Sequence, residues 1–272
     1  MRQNVCGAQA RAAIRVQPVT QPPELDRKAA LLIDVDGTLL EIAPRPELVE
    51  VPSGLPDLLY RLAGERGGAL ALISGRPIAD LDRLLRPWQG AAAGLHGIER
   101  RTADGDGAAG GDSEADRAAA AALERLRPAL VALAGQQPGI WLEDKGRTLA
   151  LHYRAAPDAG AAIRDTATRL LREHGDMLRL IPGKMVVEFQ PRHHGKGSAI
   201  AAFMEEPPFR GRVPVFLGDD TTDEEGFAEV NRRGGISIRV GPPIGGSAAI
   251  YELPSVTATL DWLAGSSAKH RS

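Results

Sequence analysis

The chain has 272 residues, of which 43% are hydrophobic and 25% charged, and its formal net charge is −2. This composition is typical of a soluble globular protein with one large domain or two modest ones, and it argues against a basic nucleic-acid-binding surface. The single cysteine, Cys6, excludes an internal disulfide and a cysteine-based metal cluster, and no apolar run is as long as the ~18 residues of a membrane span.

The first segment of the chain shows no regular pattern. Residues 1–26 lack sustained periodicity and contain Pro18, Pro22 and Pro23, so we expect a disordered or loosely attached lead. Residues 1–24 also lack the apolar stretch of a secretory signal. We therefore expect a cytoplasmic protein whose partners include neither a membrane nor a nucleic acid.

Short apolar runs that end at a polar residue or a glycine predict the strands of a parallel sheet, because a strand buried on both faces is apolar throughout. The runs cover residues 29–33, 68–73, 90–95, 213–217 and 236–240. Apolar residues at helical spacing lie between them, at Leu55, Leu58, Leu59 and Leu62 and again at Ile78, Leu81, Leu84 and Leu85. This alternation of strands and helices predicts an α/β fold with a doubly wound, Rossmann-like sheet.

The middle of the chain interrupts the alternation. Residues 103–116 are rich in Gly, Asp and Ala and predict a mobile link. The patterns that follow predict a helix at 118–133, strands at 140–145 and 148–154, a helix at 158–174, and strands at 177–181 and 185–190 around a Pro182–Gly183 turn. Two hairpins imply an antiparallel sheet with helices on one face. We therefore predict a smaller α+β cap domain of order α-β-β-α-β-β at 103–190, a core domain formed by 27–102 and 191–265, and a tail at 266–272.

The segment Asp34-Val35-Asp36-Gly37-Thr38 follows the first predicted strand. Ligands of open α/β sheets bind beyond the carboxyl ends of the strands, and the two-residue spacing points Asp34 and Asp36 the same way. Carboxylates this close repel each other unless a cation or a proton lies between them, and hard oxygen ligands favour Mg²⁺. A turn in which the two aspartates cap a helix is the simpler alternative.

Three further polar segments lie where strands end or helices begin. In Ser74-Gly75-Arg76, a hydroxyl and backbone N–H groups at a helix N-terminus predict an anion site, and a simple N-cap is the alternative. In Gly195-Lys196-Gly197, the lysine can neutralise a phosphate, and a solvated surface lysine is the alternative. An acid of the segment Gly218–Glu224 can complete a Mg²⁺ site with the first two aspartates, while Thr222 and Glu225 form the pattern of a capping box.

Together, and in this order, the four segments resemble the haloacid dehalogenase (HAD) superfamily of phosphatases. The resemblance covers residues 29–264 and implies Mg²⁺-dependent chemistry through an aspartyl-phosphate, with a cap between the second and third segments. It implies that Asp34 is the nucleophile and Asp36 the general acid and base. The phosphate ligands that it implies are Ser74, Gly75 and Lys196, and the metal ligands are Asp34, the carbonyl of Asp36 and Asp219, with Asp220 as a further candidate.

The predicted cap strands have one apolar and one polar face. The apolar face, which can pack on the cap helices, carries Met185, Val187 and Phe189. The polar face carries Lys184, Glu188 and Gln190 on the second hairpin and Glu143, Lys145, His152 and Arg154 on the first. These groups can bind sugar hydroxyls, but periodicity alone favours a merely solvated face, as in most half-polar antiparallel sheets.

Finer matches resemble one family within that superfamily, the trehalose-6-phosphate phosphatases. They lie in both core and cap, at residues 94–99, 143–146, 149–154, 182–188 and 218–224. The resemblance implies trehalose 6-phosphate as the substrate and Lys184 and Glu188 as ligands of the sugar that carries no phosphate. The further substrate-binding candidates are Arg76, His96, Lys145 and Arg154. It gives no role to His193 and His194.

Two alternatives to this function stay open. A phosphatase for another sugar phosphate keeps the same core segments, and substrate profiling separates the two. A non-catalytic sugar-phosphate sensor on the same fold is the other alternative. Loss of Asp34 or Asp36 would mark such a sensor, and both residues are present. We expect a small-molecule sugar phosphate as the partner of this chain and favour a monomer.

Overall fold

A computed structural model describes residues 21–43, 48–105, 113–174, 176–183, 185–242 and 246–268, which form two sheets. The larger unit contains β1 (Ala30–Ile33), α1 (Leu55–Glu65), β2 (Leu70–Ile73), α2 (Ile78–Leu84), β3 (Ala91–Gly94) and β4 (Glu99–Arg101). The smaller unit follows, with α3 (Glu114–Ala134), β5 (Trp141–Asp144), β6 (Leu149–His152), α4 (Gly160–His174), β7 (Leu178–Gly183) and β8 (Val186–Pro191). The chain then returns to the larger unit with α5 (Lys196–Met204), β9 (Pro214–Gly218), α6 (Glu224–Arg232), β10 (Ile236–Val240), β11 (Tyr251–Leu253) and α7 (Val256–Ala268).

The larger sheet has seven strands in the order β11-β10-β9-β1-β2-β3-β4. Neighbouring strands are parallel except for β3 and β4. The chain winds outward from β1 in both directions, which confirms the predicted doubly wound fold. The predicted strands are present as β1, β2, β3, β9 and β10, but the pattern does not predict the edge strands β4 and β11. Each of these two has three residues and is mostly half-buried, so it lacks a continuous apolar run.

Burial of the central strand β1 on both faces explains its apolar sequence. Leu31 and Ile33 belong to the hydrophobic cluster on the α1 side of the sheet, and Ala30 and Leu32 belong to the cluster on the α5 side. All four are buried. The carboxyl end of β1 is therefore fixed between two packed layers, and the residue that follows it, Asp34, is held in place.

The smaller sheet has the order β5-β6-β8-β7 and is antiparallel throughout. Helices α3 and α4 cover one face, where Val187 and Phe189 are buried. The predicted packing of Met185 on these helices is wrong: its side chain is 42% exposed, because the residue lies at the β7–β8 turn with φ of +60°. The predicted turn at Pro182–Gly183 is also wrong, since both residues pair with β8 inside β7. This strand lies at the edge of the sheet, where a proline is tolerated.

The ends of two predicted segments also differ. The last residues of the predicted lead are not loose, because Leu25 is buried in the core and the carbonyl of Pro23 accepts a hydrogen bond from Trp262 Nε1 at 3.2 Å. Helix α3 begins at Glu114 instead of 118, because Ser113 and Asp116 form a capping box that starts it earlier.

Some of the predictions fall wholly or partly outside the described residues, namely those for 1–20, 106–112, Lys184 and 269–272. The domain boundaries stay predictions. Within the described ranges, no helix is both long and apolar enough to cross a membrane.

Candidate active site

The loops that follow β1 and β9 meet the start of α5 around a buried lysine. Lys196 Nζ donates a hydrogen bond of 2.7 Å to Asp34 Oδ1 and one of 2.6 Å to Asp223 Oδ1. Thr38 Oγ1 donates to the other oxygen of Asp34 at 3.0 Å. All four side chains are buried. The structure therefore brings Asp34 and Lys196 together, as the sequence predicts, and excludes a solvated lysine.

Asp223 is a site residue that the sequence analysis does not single out. Its Oδ2 accepts the backbone N–H groups of Asp219 and Asp220 at 3.0 Å each, while its Oδ1 binds the lysine. The carboxylate thus shapes the loop and positions Lys196 at the same time. Its place at the third position of a helical start is a capping signal that could have identified it.

Three carboxylates form a group suited to a hard cation. Oxygens of Asp34, Asp219 and Asp223 lie within 4.8 Å of one another. A Cβ at residue 37 would lie 2.1 Å from the carboxylate of Asp219, so glycine is required there for the approach of Asp219 to β1. Asp220, the further metal candidate, lies outside this group and accepts the N–H of Thr221 at 2.7 Å.

Negative charges outnumber the one lysine in this group. Burial raises the pKa of Asp34 well above its usual value. The charge of Lys196 lowers this pKa, but the charges of Asp223 and Asp219 raise it again and offset part of that effect. Burial and the charge of Asp223 raise the pKa of Asp219 to about 7. Burial opposes the charged form of Lys196, but Asp223 and Asp34 overcome it and raise the pKa of the lysine. One ammonium does not balance the buried carboxylates of Asp34 and Asp223 together with the half-buried one of Asp219, and the all-oxygen donor set fits Mg²⁺.

Asp36 is engaged by an arginine from the next strand end. Arg76 donates from Nε and Nη2 to the two oxygens of Asp36, each at 2.7 Å, in the bidentate geometry that suits guanidinium and carboxylate. The N–H of Arg76 also donates to Oγ of the buried Ser74 at 3.1 Å, but Ser74 does not cap a helix, because α2 begins at Ile78 with Pro77 at the N-cap position.

His96 lies beside the glycine of the same segment. Its N–H donates to the carbonyl of Ser74 at 2.8 Å, and a Cβ at Gly75 would lie 2.7 Å from the imidazole. The backbone of His96 has φ of +56°, an uncommon value for a residue with a side chain. Burial, followed by the charge of Lys196, holds the pKa of His96 well below its usual value, so the imidazole is neutral.

The polar face of the smaller sheet carries a connected set of charges. Lys145 Nζ donates to Glu188 Oε2 at 3.1 Å and lies 3.9 Å from Glu143 Oε2, which in turn lies 2.9 Å from His152 Nε2. Glu188 is only 7% exposed, so the expectation of a merely solvated face is wrong for this residue. Arg154 is exposed.

A cavity of about 230 Å³ lies between the two units. It is lined by Lys196, His96, Thr221, Thr222 and Glu225 of the larger unit and by Arg179, Leu180 and Ile181 of the smaller one. Arg179 and Glu225 form an ion pair across the gap, and Arg179 Nη2 also donates to the carbonyl of His194 at 2.6 Å. Sequence reasoning misses this pair, since nothing local marks two residues that meet only through the packing of the units.

His193 and His194 do not enter the cavity lining. Both imidazoles approach the same carboxylate, that of Asp116, with Nε2 to Oδ1 distances of 2.9 and 2.7 Å. Burial lowers the pKa of His194, in spite of its hydrogen bond to Asp116.

Comparison with known proteins agrees with the fold. The family model described as trehalose-phosphatase matches residues 32–255. The chain is 44% identical over 247 residues to the trehalose-6-phosphate phosphatase of Escherichia coli K12, covering 91% of this chain and 90% of that protein. The fold is similar to that of the C-terminal domain of trehalose-6-phosphate phosphatase from C. albicans, with a TM-score of 0.74, 21% identity and coverage of 91% of this chain and 98% of that one.

A further solved structure with this fold is a phosphatase of the haloalkanoate (HAD) enzyme superfamily from Bacteroides thetaiotaomicron. Its TM-score is 0.59 at 18% identity, with 90% of this chain and 96% of that chain covered. This likeness concerns the fold alone, and it agrees with the doubly wound sheet of the larger unit. The family match spans well over half of the chain, and the relative from E. coli is similar over nearly its whole length. The chain belongs to the trehalose-phosphatase family.

Proposed function

We propose that this protein hydrolyses trehalose 6-phosphate to trehalose and phosphate, with Mg²⁺ and through an aspartyl-phosphate on Asp34. The observation that carries the proposal is the buried Asp34–Lys196–Asp223 cluster beside a cavity that the smaller unit covers. The cluster supplies a nucleophile and a phosphate-binding cation. The choice of trehalose 6-phosphate as the substrate comes from the names of the similar proteins.

The cation requirement follows from the charges of the site. Asp34, Asp219 and the carbonyl of Asp36 would hold Mg²⁺, and the structure adds Asp223 to the carboxylates within reach. When bound, the ion reduces the repulsion between these carboxylates and the phosphate and fixes their geometry. Lys196 contributes a second positive charge next to Asp34 Oδ1.

In the first step, a carboxylate oxygen of Asp34 attacks phosphorus and the bond from phosphorus to the sugar oxygen breaks. Asp36 gives a proton to the leaving sugar oxygen. In the second step, Asp36 takes a proton from water, which attacks phosphorus and releases phosphate and the carboxylate of Asp34. The covalent intermediate divides one difficult displacement into two. Ser74 and Lys196 bind the phosphoryl oxygens in both steps.

The polar face of the smaller unit supports a disaccharide as the leaving group. Glu188, Lys145 and Glu143 offer charged donors and acceptors, and Glu188 is too buried for a solvated surface residue. Among the described residues, no group hydrogen-bonds to Glu188 Oε1. That oxygen is buried, and a sugar hydroxyl that enters beside it would supply the missing hydrogen bond. Lys184, the other proposed ligand of the distal sugar, lies outside the described residues.

The experiment that tests this function is phosphate release from a panel of sugar phosphates, after removal of bound metal and with or without added Mg²⁺. Trehalose 6-phosphate should give the highest kcat/KM, and only with Mg²⁺. A higher value for sucrose phosphate or another sugar phosphate would reassign the substrate. Absence of turnover on every phosphate in the presence of Mg²⁺ would favour the sugar-phosphate sensor.

A further inference from the structure

Two adjacent histidines that the proposed reaction does not use converge on one carboxylate oxygen. His193 Nε2 lies 2.9 Å and His194 Nε2 lies 2.7 Å from Asp116 Oδ1, and the ligand atoms of the three residues lie within 4.8 Å of one another. Zn²⁺ binds imidazole nitrogen at about 2.0–2.1 Å and carboxylate oxygen at about 2.0–2.2 Å. Ligand atoms around such an ion are therefore about 3 to 3.5 Å apart, so each imidazole nitrogen needs to move away from Asp116 Oδ1 by only a few tenths of an ångström.

The carboxylate of Asp116 is fixed from behind for this contact. Its Oδ2 accepts hydrogen bonds from Ser113 Oγ at 2.5 Å and from Ser113 N–H at 3.3 Å, and its own N–H donates back to Ser113 Oγ at 3.1 Å. The capping box thereby uses one oxygen and leaves Oδ1 for the histidines. Support of a ligating carboxylate by such hydrogen bonds is typical of metal sites.

The three side chains are accessible without unfolding. Asp116 and His194 are 11% and 15% exposed, and His193 is 36% exposed. An ion can therefore enter from solvent on the side of His193. The rings of the two histidines lie 4.2 Å apart between centroids and are tilted by 43°, which leaves both Nε2 atoms on the side of Asp116.

We propose that Asp116, His193 and His194 bind a divalent transition metal of the Zn²⁺ class, at a site separate from the carboxylate group around Asp34. The donor sets distinguish the two sites. Two imidazoles and one carboxylate suit Zn²⁺, Ni²⁺ or Cu²⁺, whereas the three carboxylates around Asp34 suit Mg²⁺.

A metal ion at this site would restrain the segment that carries Lys196, the proposed phosphate ligand. Asp116 lies in the first turn of α3, where the chain enters the smaller unit, and His194 lies where it returns to the larger one. The carbonyl of His194 accepts hydrogen bonds from Arg179 at 2.6 Å and from Gln190 at 3.0 Å, and Lys196 follows two residues later. A bound ion ties the two crossings together and restrains the segment that carries Lys196.

The direct test is calorimetric titration of the untagged full chain with Zn²⁺ in excess Mg²⁺, after removal of bound metal. The variants His193→Gln and His194→Gln keep a polar side chain, and His152→Gln is the matched control because it removes a histidine paired with Glu143 elsewhere. Wild type and control should bind one Zn²⁺ with equal affinity, and each of the two variants should bind at least tenfold more weakly. Equal affinity in wild type and both variants would overturn the proposal, as would a wild type that binds no Zn²⁺.

Hydrogen exchange locates the ion independently. Zn²⁺ should slow exchange at residues 113–118 and 191–196 in the wild type and leave both segments unchanged in His194→Gln. Slowing at residues 34–38 and 219–223 instead would place the ion on the carboxylate group and overturn the proposal. Circular dichroism verifies that each variant is folded. Neither measurement depends on turnover, so this site and the proposed hydrolysis can fail separately.

Discussion

Replacing Glu188 by alanine tests whether the smaller unit binds the sugar that carries no phosphate. Glu188 is 7% exposed, and its Oε2 accepts a hydrogen bond from Lys145 Nζ at 3.1 Å. Its Oε1 has no hydrogen-bond partner in the part of the chain that the structure describes. The ion pair with Lys145 holds the carboxylate in place, and a sugar hydroxyl that enters beside the buried Oε1 would supply its missing hydrogen bond.

The size of the effect follows from the charge of the acceptor. A hydrogen bond to a charged group contributes about 1.5–3 kcal/mol, and about 1.36 kcal/mol corresponds to a factor of ten in rate. The kcat/KM for trehalose 6-phosphate should therefore fall about 10- to 100-fold in Glu188→Ala. A small aryl phosphate has no distal sugar, and Asp34 and Lys196 act on its phosphoryl group alone, so its hydrolysis should change little.

The assay is steady-state phosphate release from both substrates by wild type, Glu188→Ala and a control, Glu173→Ala, which removes an exposed glutamate of α4 in the same unit. The control should match wild type on both substrates. Equal losses on the two substrates in Glu188→Ala would show that Glu188 supports folding or closure of the unit. No loss on either would remove the main physical support for a disaccharide substrate.

The phosphoryl site can be tested in three ways, and a fourth measurement tests the movement of the smaller unit. Asp34→Asn should keep the fold and abolish turnover, and beryllium fluoride with Mg²⁺ should be trapped on the wild-type residue; turnover at the wild-type rate by the variant contradicts a covalent role. Chelation should stop turnover and Mg²⁺ should restore it. The variant Asp219→Asn should need at least tenfold more Mg²⁺ for its half-maximal rate. Full activity in excess chelator would contradict the requirement for a metal ion. Burial raises the pKa of Asp219 to about 7, so between pH ~4 and ~7 the folded metal-free protein holds a proton that the unfolded chain has released. Its free energy of unfolding should fall as pH rises through that window and the slope should vanish with Mg²⁺, as measured by thermal unfolding; the same slope in Asp219→Asn would assign it to another group. Solution scattering should show compaction with a saturating substrate analogue, through hinges where the chain crosses between the two units, whereas an unchanged profile argues for a fixed cap.

The parts of the site that could be predicted are those fixed by strand ends. Asp34 and Ser74 follow β1 and β2, and Asp219 follows β9, and these three strands are neighbours in the sheet. Polar residues after consecutive buried strands of a parallel sheet must meet at one edge, so their juxtaposition follows from periodicity and topology. Lys196 joins them because it opens the helix that returns from the smaller unit.

The parts that could not be predicted depend on contacts between distant elements. The pair of Arg179 and Glu225 forms between the two units, and neither residue belongs to a local pattern that signals a partner. The predicted turn at Pro182–Gly183 is wrong for the opposite reason. The local sequence signal for a turn is strong there, but the pairing of β7 with β8 overrides it. Six consecutive residues of β7 find partners in β8, and the position at the sheet edge removes the penalty that proline has in a central strand.

The charges of the site couple substrate binding to proton transfer in the proposed mechanism. Arg76 donates a hydrogen bond to each oxygen of Asp36, and this bidentate contact competes with any contact between Asp36 and the substrate. The phosphoryl group is the anion that competes for the arginine, because guanidinium binds phosphate and carboxylate with the same bidentate geometry. If Arg76 binds the phosphate, both oxygens of Asp36 are released for the leaving sugar oxygen and for water. In the proposed mechanism, Asp36 is thereby released for proton transfer only when a phosphate is bound, and the departure of phosphate after the second step returns Asp36 to its arginine.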